Sequence, residues 1–251
     1  MVRGLYTAGT GMLTQRNKIN VIANNVANVE TTGYKEDLML SRSFNEVLIE
    51  RINDPNVLRQ NEIVGSITKG VHVDEVFTKF IQGSFNETRR NADLALEGDG
   101  FFVVETPNGL RYTRNGAFFV DNQGMLVTAE GYYVQGVNGS LNVGSNNFKV
   151  NENGQVFDEE GDLVDEMLVV SFVDNSLLRK EGESLYYTFG EAETVESEAK
   201  VKQGFLEASN VDLIEQVISV IEVARAYESN QRVITTIDST LDKAVNEIGK
   251  V

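Results

Sequence analysis

The 251-residue sequence predicts an α+β fold: N- and C-terminal heptad helices paired in the manner of a coiled coil, with a central, mostly antiparallel β-domain between them. Three observations predict it. Leu5, Ala8, Met12, Gln15, Ile19, Ile22, Val26 and Val29 recur at alternating spacings of three and four, a seam that needs a partner helix to cover it. Val217, Val220, Ala224, Tyr227, Gln231, Ile234, Asp238, Leu241, Val245 and Ile248 repeat that alternation at the other end. Everything between reads as short strands punctuated by turns. Each terminus therefore offers the apolar stripe that the other lacks, which suits a subunit whose ends dock against neighbours better than it suits an enzyme.

The first element is a helix over residues 1–33. Its end carries Asn24, Asn25, Asn28, Thr31, Gly33 and Tyr34; Asn and Thr side chains compete with helical bonding, and glycine permits the positive φ of a turn. Residues 34–69 form a connector, with 43–52 expected as helix, Asp54-Pro55-Asn56 as a turn and 65–70 as loop. A β-domain is expected over 70–203, opened by a strand at 71–76 that alternates Val71 and Val73 with His72 and Asp74. Asn108-Gly109, Asn115-Gly116, Asn138-Gly139 and Asn153-Gly154 predict type I′ hairpins within it. The C-terminal element, 204–251, opens with Ser209, Asn210 and Asp212 and continues as a helix whose stripe persists for about 55 Å at 1.5 Å per residue, longer than one small β-domain covers. Ile214, Ile218, Ile221 and Ile237 add a second apolar flank, while Gln15, Gln231 and Asp238 place polar groups on the seam, where they specify register.

Composition narrows the function. A net charge of −16 opposes binding to a phosphate backbone or an anionic lipid surface, so neither nucleic acid nor membrane is an expected partner. No apolar run is long enough to span a bilayer. The acidic clusters at 158–166 and 191–198 lack the alternating ligands and closing Glu of a calcium loop, so no metal is expected there and they read as solvated faces. With no Cys, disulfides, thiolate catalysis and sulfur-ligated metals drop out together. The single His, His72, has an Asp two residues away but no nominated nucleophile, and Gly98-Asp99-Gly100 precedes a strand rather than a helix, so it cradles no phosphate. No catalytic, cofactor-binding or metal-ligating residue is assigned. Two rival readings are a secreted β-rich adhesin or binding module and a carboxylate-dependent hydrolase; the first does not need matched heptads at both ends, and the second needs a cleft holding a carboxylate of raised pKa.

Three separated segments then point to one family. The run from Ala23 to Lys35 resembles the N-terminal signature of the flagellar basal-body rod and hook proteins. Gly100-Phe101-Phe102-Val103 and Tyr112-Thr113-Arg114-Asn115-Gly116 resemble their β-domain, and the run from Gln203 to Asp212, with Arg225-Ala226-Tyr227-Glu228, resembles the start and continuation of their C-terminal helix. The resemblance implies a structural subunit of the distal or proximal rod with no cofactor. It also implies partners that are further copies of the chain, other rod and hook proteins and the flagellar export apparatus, and a place in the basal body reached without a cleaved signal peptide. Residues 34–69 would be an extended connector touching neighbours, and the terminal seams would be assembly surfaces.

Overall fold

A computed structural model describes residues 2–50, 63–182, 184–190 and 193–248. The chain is α+β, and it divides into two compact units: one takes the residues up to Asn24, Asp37–Phe77 and those from Leu213 onward, the other Asn25–Glu36 and Thr78–Asp212.

The first unit contains the helix α1 (Val2–Ala27) as far as Asn24 and the helix α2 (Leu213–Lys243), the latter followed by a π-helical turn at Ala244–Ile248. The α1 helix stops six residues short of the expected end, where the amides of Asn28 and Val29 turn back to the carbonyls of Asn25 and Val26. The α2 helix starts at Leu213 rather than near 204, because Phe205–Glu207 is spent on a strand. Asp212 stands just before it, where a carboxylate suits the exposed first-turn amides.

The connector also departs from expectation. Val47–Glu50, expected as helix, is a strand paired antiparallel with Ile63–Ile67, whose residues from Gly65 on were expected as loop; β-branched Val47, Ile49, Ile63 and Ile67 favour the pleated state over helix. The predicted turn at 54–56 lies outside the described residues. The strand Val71–Thr78 pairs with Asp37–Ser43, so the His72 segment joins the helical unit instead of opening the β-domain. The imidazole of His72 stacks on Phe44 with ring centroids 4.9 Å apart, and Asp74 pairs with Arg42 at 3.4 Å rather than with the imidazole. Val71 N donates to Thr10 Oγ1 of α1 at 3.4 Å, tying the strand to the helix.

The second unit is built on a ten-stranded sheet. Its main path runs Leu178–Glu181, Leu185–Thr188, Gly109–Thr113, Phe101–Thr106, Tyr133–Gly136, Leu126–Val127 and Phe119–Val120, and Val169–Phe172 pairs with the start of the Phe101–Thr106 strand. Leu94, Phe102, Phe118, Leu126, Phe148 and Val156 are wholly buried in one core. Each such side chain contributes about 1.5–3 kcal/mol through burial. A second cluster centres on Phe101, Phe172 and Tyr186, and Phe80 meets Phe101 edge-on with centroids 5.4 Å apart.

Within this unit the same meander occurs twice, thirty residues apart. Val120 pairs with Leu126 and Val127 with Tyr133; Val150 pairs with Val156 and Phe157 with Leu163. Phe118 and Phe148 fill equivalent core positions. Gly124 and Gly154 both have φ +82°, and Gly131 and Gly161 have +87° and +90°. In all four turns one side-chain oxygen, that of Asp121, Thr128, Asn151 or Asp158, accepts from the amide four residues on. Of the expected type I′ hairpins, Asn153-Gly154 falls in one of these turns, and tight hairpins do close at 106–109 and 136–139, but none is type I′: Arg89 is the only non-glycine of positive φ among the described residues, so no Asn takes the position that a type I′ turn requires.

Candidate functional site

The segment that follows α1 is held by the segment that precedes α2. Gly33 adopts φ +67° and its amide donates to Glu207 O at 2.8 Å. Tyr34 is buried, its hydroxyl donates to Asn25 Oδ1 at 3.1 Å, and Lys180 Nζ lies 3.8 Å from its ring centroid. Thr31 donates to Asn28 Oδ1, and Thr32 to Asn115 Oδ1 at 2.7 Å. From the other side Asn210 Oδ1 accepts from Glu36 N at 2.7 Å while its amide group donates to Lys79 O at 2.8 Å. Ser209 Oγ accepts from Val211 N at 3.2 Å.

At the centre of this clip lies a buried carboxylate with two cations. Lys35 Nζ is 2.5 Å from Glu207 Oε1 and also donates to Ile81 O at 2.8 Å. Arg114 Nη1 is 3.5 Å from Glu207 Oε2, its Nη2 donates to Gly98 O, and Gly83 N donates to Glu207 Oε1 at 2.8 Å. The side chains of Lys35, Arg114 and Glu207 are 1 %, 4 % and 0 % exposed. Burial pushes the pKa of Lys35 and of Arg114 below their ordinary values, and attraction to Glu207 opposes it in both. The carboxylate is engaged on both oxygens by groups from separate chain segments, so the arrangement fastens those segments together. Among the described residues, no three His, Asp or Glu side chains are grouped to hold a metal ion.

The helical unit contains the other predicted residues. On α1, Ala8 and Ile22 are buried and Leu5, Met12, Ile19 and Val26 half-buried, so the predicted stripe is the less exposed one. On α2 half of the predicted line holds: Val220, Tyr227, Ile234 and Leu241 are half-buried. The alternate half shifts back one residue, to Gln216, Val223, Asn230, Ile237 and Ala244; Ala224 stays half-buried, while Val217, Gln231, Asp238 and Val245 are exposed. Glycines explain the shift. A Cβ on Gly4 would stand 3.0 Å from Ile237 Cδ1 and one on Gly11 2.9 Å from Asn230 Nδ2, so α1 makes room for the larger side chains at 237 and 230.

A flagellar basal-body rod protein FlgG of Bacillus subtilis is 32 % identical over 98 % of this chain and 99 % of its own length. The chain belongs to the flagellar basal-body rod protein family. Two further rod-family relatives are 33 % identical over the full length of both partners: the flagellar hook-basal body complex protein FlhO of B. subtilis and a flagellar basal-body rod protein FlgF of Caulobacter vibrioides. Family models match in order: flagella basal body rod protein at 5–35, flagellar hook protein FlgE/F/G D1 domain at 95–157, and the C-terminal flagellar basal body rod FlgEFG model at 202–247. This is a family of structural proteins, not of enzymes. Lys35, Arg114 and Glu207 fall one in each matched segment, so the ion cluster joins all three.

That cluster is what reading the sequence of this rod-family chain missed. Lys35, Arg114 and Glu207 all lie within the motifs that carried the resemblance, but each looks like an ordinary surface charge until the fold brings the three together. The predicted Asn25, Gly33, Tyr34 and Asn210 do converge on the clip. Asn28 and Thr31 bond to each other beside it, and Asn24 is exposed near the end of α1.

Proposed function

We propose that this chain is a structural subunit of the flagellar rod, self-assembling into a helical tube that carries torque from motor to hook. Full-length similarity to rod proteins is the observation that carries the reading. In this reading the terminal helices pair as a coiled coil lining the inside of the tube and the β-rich unit faces outward, with residues 34–69 as the connector. The partners are further copies of the chain, other rod and hook proteins, and the export apparatus that delivers it to the basal body without a cleaved signal peptide. Identities of 32 % to a FlgG and 33 % to a FlgF favour neither a distal nor a proximal position.

The exposed face of α2 supports an assembly role. Val217, Ile218 and Ile221 are 47 %, 52 % and 48 % exposed and share one side of the helix, an apolar stripe left for a neighbouring helix. The purified chain at high concentration should form straight tubes in negative-stain electron micrographs; a chain that stays monomeric at every concentration overturns the reading. Ile234→Glu with Leu241→Glu places two like charges seven residues apart on α2. It should abolish tubes and motility while the melting temperature of the β-rich unit stays unchanged, and retained motility would show that this line is no assembly surface.

A further inference from the structure

The duplicated meander carries a row of side chains on the face of its sheet opposite the core. Phe119, Val127, Tyr133, Glu105 and Leu110 lie directly opposite one another across five neighbouring strands, so they share one face of the sheet. The other face is the core, where Leu126 and Val134 are wholly buried. Along the row, Val127 is 9 % exposed between Phe119 at 44 % and Tyr133 at 39 %, which makes a recess with two aromatic shoulders. The second meander holds the same three positions with Lys149, Phe157 and Leu163. A lysine therefore serves where the first copy has Phe119; the guanidinium of Arg90 lies over the Phe119 ring, 5.1 Å from its centroid, and the ring stays 44 % exposed beside it.

The second row supplies the matching shape. Leu163 is 59 % exposed, a protruding apolar side chain. Lys149 lies two strands from it, about 10 Å at the usual strand spacing. On the first row Glu105 also lies two strands from Val127, at the same spacing.

Taking the chain as a self-assembling rod subunit, we propose that these rows meet between successive copies: Leu163 of one copy enters the Phe119–Val127–Tyr133 recess of the next, Phe157 lies over Tyr133, and Lys149 pairs with Glu105. One charge of each sign and one knob for one recess make the fit directional. Each copy carries both halves on different strands, so the contact is heterologous and extends into a filament instead of closing as a dimer.

The sequence contains no cysteine, which makes cross-linking unambiguous. Tubes formed by the full chain carrying Glu105→Cys and Lys149→Cys should give a ladder of covalent multimers on mild oxidation, and the two single variants should cross-link chiefly to each other when mixed. Glu105→Lys or Lys149→Glu alone should raise the concentration needed for assembly about tenfold, and the two together should restore it, because the charges are exchanged rather than lost. Both positions are exposed, so monomer melting should not move. Tubes that form without a ladder, or charge reversals that assemble normally, overturn this contact and leave the rod reading standing. Absence of tubes from the unmodified chain overturns both.

Discussion

Replacing Glu207 with Gln should lower the unfolding free energy of the β-rich unit by about 3–5 kcal/mol. The reason is the company that the carboxylate keeps. Lys35 and Arg114 are both buried, and burial already depresses the pKa of each. With Glu207 neutral, two cations remain out of water with only the charge of Asp99, which acts on both, to oppose their burial, so the loss exceeds that of an ordinary hydrogen bond. Replacing all three by apolar residues of similar volume, Lys35→Met, Arg114→Met and Glu207→Leu, should recover most of the stability, since a buried ion group gains little over good apolar packing. Urea denaturation of the three proteins measures both effects. An unchanged midpoint for Glu207→Gln would mean that the cluster does not hold the segments together.

Gly33→Val should cost about 3–5 kcal/mol, part from a β-branched residue at positive φ and part from overpacking. A Cβ at this position would come 2.6 Å from Arg114 O, so even Gly33→Ala cannot be accommodated without moving backbone. Gly131 is the control. Its φ is +87° but a Cβ there meets nothing within 4 Å, so Gly131→Ala should lose only the conformational term of about 1–2 kcal/mol. A cell lacking the native protein and supplied with Gly33→Val should swim poorly or not at all. Equal losses for Gly33→Ala and Gly131→Ala would show that the close approach to Arg114 is unimportant.

How much of this was legible in the sequence depended on how local each signal was. The α1 stripe was readable because its seven-residue repeat is a property of one helix. On α2 members of the two lines stand side by side, as at Val223-Ala224 and Ala244-Val245, and each line includes polar residues, so the sequence does not separate them until Gly4 and Gly11 decide. The Asn-rich turn and Asn210 were found as motifs, but not what they hold. Lys35 and Glu207 lie 172 residues apart and Arg114 and Glu207 93 apart, and nothing local distinguishes a charge destined for burial from one left in water. The duplicated meander went unnoticed because Asp, Thr and Asn all perform the same turn-closing acceptance, so the geometry repeats while the letters do not.

The ion cluster closes a loop of most of the chain, as a disulfide would. A covalent staple of that span needs an oxidant to form and a reductant to open. Lys35, Arg114 and Glu207 need neither: water dissolves the closure whenever the chain unfolds, and folding remakes it. The protein can therefore be unfolded to an extended thread and recover its cross-link on refolding, whatever the redox state of its surroundings.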